Sequence, residues 1–324
     1  MLRYIVKRIL ILIPVIIVIS MILFTIAYFM PGDPVHAMLP PGLRPEQYDQ
    51  FYSAMQERLG LDKSLPEQYV RWVYEVILKG ELGHSTMGNR HVAMMIGTPL
   101  TNTIILNVFV NICYLLVALP LGIKIAVKRG GLLDNGVQIG SLATYSIPSF
   151  FLSLSLIFIF AVWLGWLPMG GMPNTFMLSW SENIMQWARH LILPVVTLTL
   201  INIAGAIRYI RNAMIDALSQ DYIRTARSKG LNEKIVIYSH AMRNAMIPIS
   251  TIIVGVVFSL FSGAAITETV FAYNGIGRLL LMGVRQLDRM LIVSMNLFFA
   301  AINVSAMLVA DIIYGLVDPR VKLK

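Results

Sequence analysis

Apolar and polar positions along this chain are gathered into long blocks instead of the short alternations of a water-facing fold. Six apolar runs stand out, at residues 9–30, 100–127, 136–164, 191–207, 247–266 and 291–317. Each reaches the roughly 17–25 residues with which an α-helix crosses the hydrocarbon core of a bilayer. Because lipid offers no partner for a free N–H or C=O, such runs are helices that satisfy their own backbone. The pattern predicts an all-α integral membrane protein with about six transmembrane helices. Pro14 falls inside the first run and predicts a kink there.

The polar blocks divide the rest. Pro31-Gly32-Asp33-Pro34 stops the first run, and a polar segment follows to about Pro99 with six basic and eight acidic residues. Within it, residues 45–60 and 66–79 read as short helices, with Pro near each start and Gly60 and Gly80 at or just past their ends. The expected organisation is an N-terminus and first helix over 1–30, a small extracytoplasmic helical subdomain over 31–99, a five-helix core over 100–318 that includes an inner loop at 208–246, and a tail at 319–324.

Sidedness comes from the basic residues. Arg3, Lys7 and Arg8 precede the first run, and Lys128 and Arg129 follow the second. Residues 208–243 carry seven basic side chains against Asp216, Asp221 and Glu233, and the tail carries Arg320, Lys322 and Lys324. Cytoplasmic loops are rich in Lys and Arg, so both termini are expected inside. The start has the charge pattern of a secretory leader, but its apolar stretch of 22 residues spans a bilayer and no small-x-small site follows, which predicts a retained helix.

Composition narrows the function. The chain is 57% hydrophobic and 13% charged, about half the charge of an ordinary soluble domain, so membrane lipid is its solvent. The net charge of +9 sits beside the ends of apolar runs, which argues against nucleic acid as a partner. Cys113 is the single cysteine and lies inside an apolar run, where it reads as a small hydrophobe. The five histidines, His36, His84, His91, His190 and His240, fall in loops or at span edges, against a metal centre. Neither a Gly-x-x-x-x-Gly-Lys-Ser/Thr phosphate loop nor a His-Glu-x-x-His motif occurs, so no catalytic residue, metal or cofactor is expected in this chain.

The inner loop is the most informative polar block. Ser219 is placed to cap a helix, with Asp221 in its first turn, Lys229 in its last and Gly230 as its stop. Asn232 then starts a second helix toward Pro248. Helical spacing sets Tyr222, Ile223 and Ala226 on one side and Arg224, Arg227 and Ser228 on another. One reading is a surface helix lying on anionic lipid. The other is a docking element, with Ala226 and Gly230 allowing close approach and the basic face making charge-assisted contacts. Asn107, Asn111, Asn202, Asn296 and Asn303 are polar positions inside spans, suited to lining a water-filled path or to joining helices by hydrogen bonds, with the second role favoured. Glu268 and Asp311 are carboxylates near span ends, and Asp311 is expected in an interfacial ion pair near Asp318.

The stretch Asp221-Tyr222-Ile223-Arg224-Thr225-Ala226-Arg227-Ser228-Lys229-Gly230, followed by His240-Ala241-Met242-Arg243-Asn244-Ala245 and Pro248, resembles the coupling-loop signature of ABC importer permeases. The match is closest to the dipeptide, oligopeptide and nickel permease family, and to its first-permease or B-type subunit. Against the general Glu-Ala-Ala-x-x-x-Gly pattern, Arg224 and Thr225 replace the first two members, as is the habit of this branch, while Ala226 and Gly230 fit. The likeness extends along the chain through Pro31-Gly32-Asp33-Pro34, Leu82-Gly83-His84-Ser85, Ser146-Ile147-Pro148-Ser149-Phe150, Gly165-Trp166-Leu167-Pro168, Glu268-Thr269-Val270-Phe271, Gly275-Ile276-Gly277, Asp311 with Tyr314, and Asp318-Pro319-Arg320. One departure is Asn274, where the family usually has Pro before Gly-x-Gly.

The resemblance implies a type I ABC importer permease fold in a prokaryotic inner membrane and import by alternating access. It implies a homologous second permease, two cytoplasmic ABC ATPases that bind ATP and Mg, and an extracytoplasmic substrate-binding protein. It assigns ATPase coupling to Asp221, Tyr222, Arg224, Ala226, Arg227 and Gly230. Di- or oligopeptides are the first expectation for substrate, and nickel or a metal chelate the second. A proton-coupled secondary transporter is the alternative from another class, and would need midplane carboxylates or histidines and an inverted repeat.

Overall fold

A computed structural model describes residues 2–39, 42, 44–87, 90–174 and 179–317. The basic tail at Arg320, Lys322 and Lys324, the residue Asp318, and the side chains of Arg3, Lys7, Arg8 and Asp311 lie outside what is described, and with them the expected pairing of Asp311.

The chain opens with α1 (Leu2–Tyr28), in which Pro14 sits without interrupting the helix. A short α2 (Pro34–Ala37), then α3 (Pro45–Leu59) and α4 (Leu65–Tyr74) follow, α4 being extended by a wide i→i+5 turn over Glu75–Lys79. A two-residue antiparallel ladder of β1 (His84–Ser85) and β2 (Arg90–His91) leads into α5 (Val92–Val127). Next come α6 (Leu132–Ser146) and α7 (Ser149–Ile157), with wide-turned Phe158–Trp163 continuing α7, and then α8 (Trp180–Leu218). Short α9 (Asp221–Ser228) and α10 (Glu233–Ile235) are followed by a wide turn at Val236–Ala241 and α11 (Met242–Ser259). The chain closes with α12 (Ala265–Val270), α13 (Ile276–Arg285) and α14 (Arg289–Val317).

Among the described residues four helices are long and apolar enough to cross a membrane alone, α1, α5, α8 and α14, and two bent pairs bring the number to as many as six. Counting each bent pair as one span gives the expected six crossings, and three of the expected runs differ in shape from plain apolar rods. The third is broken: α6 meets α7 at 97°, where a single helix over 136–164 was expected. Pro148 lacks an N–H and drives Ile147 into an extended conformation, with ψ 125°, so the helix cannot run through. The fourth is far longer than 191–207, because a capping box of Ser179 and Glu182 starts it early and nothing breaks it before Leu218. His190 consequently lies within a helix and not at an edge, its Nδ1 2.8 Å from the carbonyl of Gln186. The fifth stops at Ser259 instead of 266, since the Asn107 amide donates to the carbonyls of Ser259 (2.8 Å), Leu260 (3.2 Å) and Ser262 (2.9 Å) and so completes the helix end.

Helices α5 and α8 form the centre. Asn107 and Leu198 face one cavity while Gly122 meets Ile207 and Ile210 further along, so the two helices run in the same direction. A Cβ at Gly122 would come within 2.8 Å of Ile210, the close approach by which helices pack in lipid. At the other end of α5, Trp72 of α4 packs on Phe24 of α1 with ring centroids 5.4 Å apart and shares a cluster with Val293 of α14. Asp33 receives the N–H of Val35 (2.8 Å) and the hydroxyl of Tyr52 (2.7 Å). Burial opposes its ionisation, but these hydrogen bonds outweigh it and hold the carboxyl below the usual range. The buried Asp288 carboxylate accepts from the Ser85 hydroxyl and from the N–H groups of Met87 (3.2 Å) and Leu291 (3.1 Å), and Arg289 reaches the carbonyls of Met30 and Gly32. Thus Leu82-Gly83-His84-Ser85 is tied to the start of α14.

Candidate functional site

The loop between α8 and α11 is held from inside. Ile223 is fully buried and Ala226 nearly so, both packed in the large core with Val236, Ile237 and Ala241. Ala226 therefore packs α9 onto the chain's own core, and of the two small residues expected to allow close approach only Gly230 is open in this chain. Ser219 is not the cap of α9: it ends α8, donating to the carbonyl of Asp216 at 2.8 Å, while Gln220 occupies the cap position without a side-chain bond. The stop is as expected. Gly230 adopts φ +73°, its N–H bonds the carbonyl of Arg227 at 2.9 Å, and nothing lies within 4 Å of where a Cβ would stand.

The outward face is unequal in its freedom. Arg227 pairs with Glu233 at 2.6 and 3.2 Å, a clip that joins α9 to α10. Arg224 is 79% exposed and faces Asp221, itself 96% exposed, at 3.5 Å. Tyr222 leans back to the carbonyl of Ala217 at 3.3 Å. The arrangement is a short helix with its apolar side sunk in the core and Arg224 and Gly230 open beyond it.

Above this loop a cavity of about 580 Å³ opens between α5, α8 and α11, and Asn107, Asn111 and Asn202 line it. Asn296 and Asn303 do not; each bonds a carbonyl of its own helix, Ile292 and Phe299, both at 2.8 Å. Of the three that converge, Asn107 caps α11 and Asn111 exchanges hydrogen bonds with Ser259 at 3.1 and 3.4 Å, so their amides join helices as the sequence suggested. Asn202 bonds Leu198 within α8 at 2.9 Å and lines the cavity without crossing to another helix.

Two long-range constellations escaped sequence reasoning. Glu268, 1% exposed, accepts from the Thr103 hydroxyl (2.9 Å) and the N–H groups of Ala264 (3.3 Å) and Arg278 (2.8 Å), while Thr103 in turn receives the N–H of Ile276 at 2.9 Å. Asn102 donates to the carbonyl of Asn274 and accepts through its own carbonyl from Tyr273, both at 2.8 Å. The N–H of Asn274, which a proline would lack, reaches the sulfur of Met172 at 3.4 Å. Glycines make the knot possible, since a Cβ on Gly263 would lie 2.3 Å from the nitrogen of Gly277. The second constellation is Asp134 with Arg211, two parallel bonds of 2.7 Å that fasten α6 to α8, with the N–H of Gly130 adding a third at 2.9 Å. Among the described residues no three His, Cys, Asp or Glu side chains are placed to share a metal ion.

A bundle with a helical plug between two of its long helices is the arrangement that the sequence resemblance anticipated, and comparison with known families decides it. Residues 118–323 match the binding-protein-dependent transport system inner membrane component, and residues 1–117 match the N-terminal membrane component of the same systems. The chain belongs to this family of transport permeases. It is a multi-pass membrane protein with the type I ABC importer permease fold. Similar curated proteins include the oligopeptide transport system permease protein AppB of Bacillus subtilis, 35% identical over 323 residues that cover 99% of this chain and 100% of the relative. The di/tripeptide transport system permease protein DppB of Pseudomonas aeruginosa is 35% identical over 337 residues, 99% of each chain. The dipeptide transport system permease protein DppB of Escherichia coli K12 is 34% identical over 343 residues, 100% of each.

Proposed function

We propose that this permease carries di- or oligopeptides across the prokaryotic inner membrane as one of two homologous pore-forming subunits, driven by two cytoplasmic ATPases and supplied by an extracytoplasmic binding protein. The observation that carries the reading is α9: it is fixed by Ile223 and Ala226 to the chain's own core and leaves Arg224 and Gly230 open at the end of α8. A helix so held transmits a push instead of absorbing it. ATP binding and Mg belong to the partner ATPases; in this chain Asp221, Tyr222, Arg224 and Gly230 meet them, and Ala226 and Arg227 keep α9 in place. Full-length relationship to permeases named for peptides supports the substrate class. In this reading both termini and α9 are cytoplasmic, and α3 and α4 belong to the outer subdomain within 31–99.

The test is uptake by the reconstituted complex. ATP-dependent accumulation of a labelled peptide that vanadate stops supports the proposal. Uptake that follows a proton gradient without ATP would move the chain to the secondary transporters, and accumulation of nickel or a chelate in place of peptide would move it to the metal branch. Mass spectrometry of what copurifies with the cognate binding protein identifies the cargo.

A further inference from the structure

Along α8, the residues that face α11 recur every three or four positions, so they form one stripe. Asn202, Gly205 and Ala206 line the cavity of about 580 Å³, while Asn212, Ala213 and Asp216 line a second of about 520 Å³ closer to α9. Tyr209 borders both. The α8 side of this groove runs from Asn202 to Asp216, and Tyr209 is the one residue that lines both cavities, standing where they meet; Tyr114 lines the first alone and Tyr222 the second alone. Tyr209 is 42% exposed. Its hydroxyl lies 3.1 Å from the carbonyl of Pro248 and 3.0 Å from Thr251 Oγ1, which itself donates to the same carbonyl at 2.7 Å. Tyr209 is therefore tied across the groove to α11.

Both ends of this tie lead to the same loop. Helix α8 runs directly into α9, and the α10 segment leads from α9 into α11. A displacement of α9 therefore acts on the two helices that the tie joins. The bond borders two cavities, and where these hold water a hydroxyl exchanges its protein partner for a water molecule at little net cost, so the tie is one that opens cheaply.

We propose that Tyr209 is a latch in the translocation path, its ring closing the groove between α8 and α11 and its hydroxyl holding the two helices at Pro248 and Thr251 until movement of α9 separates them. This rests on the importer reading above and adds to it the position of one barrier.

The experiment uses the complete complex in liposomes. Tyr209→Ala removes ring and tie; a preloaded labelled peptide is expected to escape without ATP at least severalfold faster than from the unchanged complex. Tyr209→Phe keeps the ring, so the leak stays low while more ATP is hydrolysed per peptide moved. An assembled Tyr209→Ala complex with no added leak and an unchanged ratio of ATP to peptide overturns the latch. A second measurement covers failure of that variant to assemble. With Cys113→Ser as background, Tyr209→Cys is probed with an impermeant thiol reagent applied from either side, nucleotide-free and vanadate-trapped. The latch predicts that the side giving access changes between the states; equal access from one side in both overturns it. If the unchanged complex hydrolyses ATP but moves no peptide, the peptide reading fails, and the thiol experiment still decides whether position 209 is a barrier.

Discussion

Two glycines show how much a single residue's surroundings decide. A Cβ on Gly263 would meet backbone, at 2.3 Å from the nitrogen of Gly277, and backbone there is pinned by the bonds around Glu268. Gly263→Ala is expected to cost about 1–3 kcal/mol or more by overpacking. It should lower both the yield of monodisperse protein and the midpoint of thermal unfolding in detergent. At Gly230 the space is empty, and only the left-handed backbone resists a side chain, at roughly 1–2 kcal/mol. Gly230→Trp should therefore leave the chain inserted and folded while abolishing ATP-driven uptake, because under the proposed function the bulk projects where an ATPase would seat; undiminished uptake would count against the coupling role. The Gly230 turn was readable from the sequence, since a helix stop is a local event. The role of Gly263 was not, because the atom it must avoid lies on another turn of chain and no local pattern announces it.

At the scale of elements, the positions where helices were expected survive better than their ends. The apolar runs marked the membrane-crossing segments, but caps and prolines set where each helix begins and breaks. Ser179 with Glu182 begins α8 outside its apolar run, and Pro148 divides a run that hydropathy alone joins. Partners far apart in sequence were beyond reach for a different reason: Asp134 and Arg211 are 77 residues apart, and either alone is an ordinary charge beside a span end. Their two parallel bonds make a strong prediction. Asp134→Asn leaves Arg211 without its carboxylate and is expected to destabilise the α6–α8 contact by about 1.5–3 kcal/mol, the range for hydrogen bonds to charged groups. Protease sensitivity between α5 and α6 measures it, and the partner change Arg211→Gln should produce a non-additive double mutant. The helical character of residues 45–59 and 65–74 was plain from proline starts and glycine ends.

For the whole molecule, the common direction of α5 and α8 fixes which loops share a face. Val127, Leu218 and α9 lie at one end of the bundle, while Trp72, Ser85 and Arg289 lie at the other. In right-side-out vesicles an impermeant thiol reagent is expected to modify Lys63→Cys directly and Arg224→Cys only after permeabilisation. The reverse pattern would invert the topology that the basic residues predict. Asp288 has a further bearing on how such a body responds. Because one carboxylate gathers Ser85, Met87 and the first turn of α14, the turn at residues 84–87 moves with the start of the last span. A tilt of α14 is therefore handed on to that turn, as a handle moves with its shaft.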